Sequence, residues 1–404
     1  MAHAFNNSIL LRGARIIGPH RTIEQGSVLI ESGRIARIFD SEIRHLPAAD
    51  EVVDLEGLNL FPGFIDVHIH GAVGVDTMEA GEGGLARVAE FLMSKGVTAW
   101  LPTLVPAAGE QYEQAVRAIE QAVAQTSVCD DPGARDHRLK SVPQARVLGV
   151  HYEGPFVNSE QCGALHREHF RTFKAAADLD KLPRLKDDRA VHMMTVAPEI
   201  DGGVALVSEL RRRGWIVSIG HTRAAIALLD EAFHAGARHM THFMNAMPPL
   251  HHRAPGPVGW GLTHDDVTCD VIADGVHVDA SVLKLILRSK TSERISLISD
   301  AIAPTGLDDG EYQIWGEKIQ VQNGRTQNAR GKIAGSVITM LDAVRMMRSL
   351  GVSESALARM ASLNPARLLG IDDDCGSIEE GKRADLVALD QEGNVQRTIT
   401  GGLM

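Results

Sequence analysis

The chain has 404 residues, 44% of them hydrophobic, so it is long enough to bury a large core and reads as an ordinary globular protein. Its formal net charge of -11 is spread along the length without a long basic run. That distribution argues against a nucleic-acid or anionic-membrane partner and requires any anion to be held by local groups.

No apolar run approaches the roughly 20 residues that span a bilayer. The first eight residues lack both a basic region and a long apolar stretch, and Cys129, Cys162, Cys269 and Cys375 are scattered without paired spacing. Together these features point to a reduced, cytoplasmic compartment. Residues 8 to 60 carry short alternating segments separated by Gly and polar turns, the pattern of a small β-meander. From about 60 to 365 apolar strand candidates alternate with longer helical stretches such as Gly84 to Lys95, as in βα units around a parallel sheet. Eight strand candidates begin near Phe64, Val97, Arg146, His192, Trp215, Arg238, Val267 and Arg294. Residues 126 to 144 read as a polar loop before the third of them. The stretch from Gly376 to Asp390 has the character of the N-terminal meander. A sheet drawn from both chain ends would make the middle an inserted domain. The expected architecture is therefore an α/β protein with a (β/α)8 TIM-type barrel over 61–365 and a small β-sandwich domain built from 1–60 and 366–404.

Residues able to bind metal or move protons fall at the C-terminal ends of the barrel strands, where such barrels place their active sites. Strand one ends in His68-Ile-His70, whose imidazoles share a strand face and suit a divalent metal. Glu153 ends strand three before a Gly-Pro break, His221 follows strand five, His242 ends strand six with Asn245 beyond it, and Asp300 follows the apolar run of strand eight. Singly, each has a structural alternative: Glu153 or Asp300 could cap a helix, and the histidines could be bonded within the core. Jointly, burying several ionisable groups at strand ends is expensive unless they pair or bind metal, which favours one shared site.

This set resembles the amidohydrolase superfamily. Within it, the strings Gly149-Val-His-Tyr-Glu-Gly-Pro-Phe156, Gly220-His-Thr222, Thr241-His-Phe-Met-Asn-Ala-Met-Pro-Pro249 and Asp274-Gly-Val-His277 are similar to those of the N-acetylglucosamine-6-phosphate deacetylase family. Strand four ends Thr195-Val-Ala-Pro-Glu199, without the lysine that bridges metals in other amidohydrolases, so the resemblance makes Glu153 the acidic ligand. It implies Glu153, His221 and His242 as core ligands, with His68 and His70 completing a second position. One or two divalent ions are expected per subunit, zinc first, with iron, manganese or cobalt compatible with the same donors. The implied reaction is hydrolysis of the N-acetyl group of N-acetylglucosamine 6-phosphate by metal-bound hydroxide, with Asp300 as proton shuttle.

Asn245, the Ala246 amide and Arg253 match phosphate-binding positions, Arg253 by reaching across a homodimer interface, and His277 matches a sugar-hydroxyl partner. One departure stands out: where the family usually reads Gly-Ala-His, this chain reads Gly163-Ala-Leu-His166. Either the loop shifts so that His166 helps polarise the carbonyl, or the substrate differs near its acyl group. The alternatives are an amidohydrolase acting on the galactosamine epimer or another amide, and a metal-binding barrel without catalysis.

Overall fold

The computed structural model describes residues 8–40, 47–81, 83–128 and 143–404. Cys129 and most of the polar loop expected before the third barrel strand lie outside them. Strands β1 (Ser8–Ile17), β2 (Thr22–Glu31) and β3 (Arg34–Asp40) form an antiparallel meander, and β4 (Glu51–Asp54) and β5 (Asn59–Pro62) pair in parallel with β1. Ser32 and Gly33, both at positive φ, make the two-residue turn between β2 and β3, a conformation matched to strand twist.

The barrel follows directly. Its strands are β6 (Phe64–Ile69), β7 (Val97–Leu104), β8 (Gly149–Glu153), β9 (Val191–Val196), β10 (Ile216–Ile219), β11 (His239–Met240), β12 (Thr268–Ile272) and β13 (Ile295–Ile298). Each pairs in parallel with its neighbour, and a bridge between Ile69 and Ala301 joins the first strand to the end of the last. These strands are almost wholly buried because helices cover their outer face, which explains continuous apolar runs rather than alternation. The helix Gly84–Met93 is representative: Leu85, Val88, Ala89, Leu92 and Met93 are buried against the strands.

A three-stranded antiparallel sheet, β14 (Gly310–Ile314), β15 (Glu317–Gln322) and β16 (Arg325–Asn328), is inserted after β13. Beyond it, the helix Asn364–Leu369 runs past the expected domain limit at 365, because Ala366 and Leu369 pack with Ile65, Leu101, Met193, Ile272 and Ile298. The chain ends in β17 (Leu386–Leu389) and β18 (Val395–Ile399), and β17 pairs antiparallel with β5. Strands from both termini thus form one seven-stranded sheet. Backbone bonds from Ile35 to Lys382 and from Gly381 to Ile35 bring its β3 edge back against the residues leading into β17. The sheet curls around its own core of Leu11, Val28, Ile30, Ile35, Leu60, Leu386 and Ile399, forming a domain separate from the barrel. No described helix is long and apolar enough to cross a membrane.

Candidate active site

Strand ends bring the sequence-nominated groups together. Between Asp66 and Ile69, two residues of β6, Val67 and His68, stand against one of β7, Leu101, a bulge of the kind that re-aims side chains beside active sites. Ile65 and Val67 pack in the barrel's lower apolar cluster, while His68 and His70 converge beyond them with Nε2 atoms 3.2 Å apart. Glu153, at the end of β8, lies between two histidine pairs. Its Oε1 is 3.0 Å from Nε2 of both His221 and His242 and 3.5 Å from Nε2 of His68, and its Oε2 is 3.4 Å from Nε2 of His70. Asp300 completes the ring with Oδ1 at 3.3 Å from Nε2 of both His68 and His70.

Backbone conformation aims several of these groups. His221, His242 and Asp300 have φ of 46°, 30° and 51°, in the left-handed region that non-glycine residues enter at a cost of about 1–3 kcal/mol. The surrounding bonds hold them there. The His242 N–H donates to Asp270 Oδ1, whose other oxygen lies 3.0 Å from His239 Nε2, and the Asp300 N–H donates to the His68 carbonyl at 3.0 Å. Below the site, buried His151 lies 2.8 Å from Thr195 Oγ1 and packs edge-to-face on His68 at 4.7 Å. Burial pushes the His151 pKa down to about 3, so its ring is neutral.

Two groups, His68–His70–Glu153 and Glu153–His221–His242, have ligand atoms mutually within 4.8 Å. A tetrahedral ion with ligands at about 2.0–2.1 Å has ligand–ligand edges of about 3.3 Å, close to the separations found. Burial strongly depresses the His68 pKa and leaves a neutral nitrogen donor. Burial opposes ionisation of Glu153, but its interactions with the surrounding imidazoles, the hydrogen bonds of His221 and His242 among them, outweigh it and keep the carboxyl far below its usual value. Burial also opposes a charged His242, yet its hydrogen bond and charge interaction with Glu153 push it up to about 9. Without an ion, a proton on that ring compensates the buried carboxylate. Imidazoles sharing one carboxylate fit a divalent cation, as the donor chemistry requires.

His70, Glu153, His221, His242 and Asp300 line a cavity of about 630 Å³ that also exposes Asn245, Ala246 and His277. His277 is oriented by Asp274, whose Oδ2 lies 2.7 Å from Nδ1. Three sequence-nominated residues do not line the cavity: His68, which is fully buried beneath it, His166 and Arg253. His166 opens a short turn, with Nδ1 3.1 Å from Glu168 Oε1 and Nε2 3.9 Å from Glu317 Oε1, and Leu165 takes the inward position. Arg253 is exposed, with Nη1 2.9 Å from His252 Nε2. Conversely, His151, Asp270 and Trp315 were not singled out from sequence. His151 stands two residues before Glu153 in an alternating strand, a signal that could have revealed it, whereas nothing local marks Trp315.

The chain belongs to the amidohydrolase family, whose model matches residues 59–404. Hydrolases of this family include its near relatives. It is 35% identical to the N-acetylglucosamine-6-phosphate deacetylase of Bacillus subtilis, over 98% of this chain and 96% of that protein. It is also 35% identical to the N-acetylgalactosamine-6-phosphate deacetylase of Escherichia coli O157:H7, over 96% of this chain and 97% of the relative. The crystal structure of N-acetylglucosamine-6-phosphate deacetylase from Thermotoga maritima matches with a TM-score of 0.84 at 33% identity, covering 97% of this chain and 98% of that one.

Proposed function

We propose that this chain hydrolyses the N-acetyl group of N-acetylglucosamine 6-phosphate, releasing acetate and glucosamine 6-phosphate. The observation that carries this reading is the placement of Asp300 Oδ1 beside the histidines of a Glu153-centred ligand cluster, in a cavity that also presents Asn245, Ala246 and His277. Glu153, His221 and His242 would hold one divalent ion, zinc first among the candidates, and His68 and His70 a second. Such an ion acidifies water and polarises an amide carbonyl.

Asp300 takes the proton of the attacking water and returns it to the amide nitrogen, because an unprotonated amine anion is a very poor leaving group. Water oxygen bonds to the acyl carbon, the C–N bond breaks, and both products leave with their protons accounted for. His277, its Nδ1 side held by Asp274, offers Nε2 to a sugar hydroxyl. Asn245 and the Ala246 N–H receive the phosphate. In a cytoplasmic homodimer, Arg253 from the second copy adds its planar fork to that phosphate. Because His166 does not line the cavity, it takes no part here in polarising the substrate carbonyl.

The galactosamine epimer is the second reading, favoured by a relative of that name at the same 35% identity. The test is amine release from both N-acetylhexosamine 6-phosphates by metal-loaded protein, with metal content measured on the same sample. Release from the gluco substrate with at least tenfold higher kcat/KM supports the first reading. A preference for the galacto epimer selects the second. No release from either overturns both.

A further inference from the structure

The cavity lining is of two chemical kinds. Asn245, the Ala246 backbone and His277 supply polar groups, and Ala164, Leu165, Trp315 and Ile333 supply mainly apolar side chains. Three segments build that apolar lining. Leu165 comes from the loop after β8, where a β-carbon on Gly163 would lie 3.6 Å from His221 Cε1. Trp315 sits in the turn between β14 and β15, its ring 5.2 Å from that of His70 and edge-to-face with it. Ile333 follows β16, two residues before Gly335, where a β-carbon would stand 2.9 Å from the Asp300 carbonyl oxygen.

The segments are fastened to one another. Arg330 Nη2 donates to the Ala164 carbonyl at 3.2 Å, and Ala164 and Trp315 both pack on the cluster of Ile302, Ile314, Ile319 and Ala334. Turn chemistry does not explain Trp315: it holds φ 51° in a two-residue hairpin turn, where Asn, Asp or Gly is favoured. Nor does core packing explain Ile333, which is 41% exposed at the cavity.

This inference rests on the hydrolase reading above. If Asn245, Ala246 and His277 hold the sugar and phosphate and the carbonyl lies at Asp300, a planar trans amide sends its acyl chain away from the sugar, and Trp315, whose ring meets that of Asp300's neighbour His70, is with Leu165 and Ile333 the apolar lining left to receive it. We propose that Leu165, Trp315 and Ile333 form an acyl-chain subsite, and that the chain hydrolyses straight saturated N-acyl groups of three or four carbons better than acetyl. The bond changes are unchanged: water adds to the acyl carbon, the C–N bond breaks, and a longer carboxylate leaves. Each methylene taken out of water should raise kcat/KM about fourfold.

The experiment compares N-acetyl-, N-propionyl- and N-butyrylglucosamine 6-phosphate with the metal-loaded full chain. The expected result is a series rising about fourfold per methylene. Ile333→Ser, at an exposed position, and Leu165→Ala, with its melting temperature recorded, should each flatten the series. A rate that falls with chain length overturns the subsite while acetyl turnover upholds the hydrolase reading. A rising series that neither variant alters overturns the assignment to this lining. No amine from any of the three substrates overturns the hydrolase reading itself, and the subsite with it.

Discussion

Asp300→Asn separates the charge and basicity of this carboxylate from its shape. Asp300 holds φ 51°, its N–H donates to the His68 carbonyl at 3.0 Å, and its own carbonyl accepts from the Ser336 N–H at 2.7 Å. Asn enters the left-handed region as readily as Asp does, so the substitution preserves this frame, whereas Ala is strained there. The side chain remains 3.3 Å from two imidazoles but can no longer accept a proton at neutral pH. A positioned general base contributes about 10²- to 10⁴-fold, equivalent to roughly 3 to 5 kcal/mol of barrier. Glu153, His221 and His242 are untouched, so metal per chain should equal that of the parent. The assay combines initial rates of amine release, metal content by mass spectrometry and a thermal melt. A kcat within tenfold of the parent at equal metal content would refute the shuttle assignment. Loss of metal in the variant would refute it too, by making Asp300 a required ligand.

Further outcomes follow from the same geometry. Replacing His68 by Gln and His70 by Asn should halve the metal content of a two-ion site while leaving the Glu153, His221 and His242 position loaded; two ions per chain in that variant would sink the binuclear reading. Arg253→Ala should raise KM for a phosphorylated substrate far more than for its unphosphorylated analogue. Mixed with Asp300→Asn in verified heterodimers it should recover activity, since one site then has both groups; no recovery rejects the cross-subunit placement. Metal binding should release about one proton at neutral pH from His242, held up to about 9 by Glu153 despite its burial, so affinity weakens as pH falls. The linkage sign is that of a raised histidine: in metal-free protein this stabilisation is full below the ordinary 6.5 and is lost as pH rises through about 9. Calorimetry in buffers of different ionisation enthalpy reads the proton count, and a count of zero contradicts the scheme.

Much of the architecture was legible without coordinates because it is encoded in contiguous residues. The eight barrel strands begin within a few residues of the apolar runs that forecast them, since a strand covered on both faces must be apolar throughout. Glu153, His221, His242 and Asp300 announced themselves as ionisable groups closing such runs, where burial is costly unless shared. What the linear pattern left open was which side chain faces which. One residue decides whether Leu165 or His166 turns inward, and the short turn that starts at His166 made that choice. The bulge between Asp66 and Ile69 lets Val67 join the lower core while His68 and His70 still reach the site, although simple alternation would put them on opposite faces from it. Trp315 meets His70 from 245 positions further along the sequence, a contact set by how the inserted sheet docks on the barrel mouth. Periodicity reports the neighbours a residue has along its own element, whereas the walls of this cavity come from segments whose only relation is packing, and that relation exists only once the chain has closed.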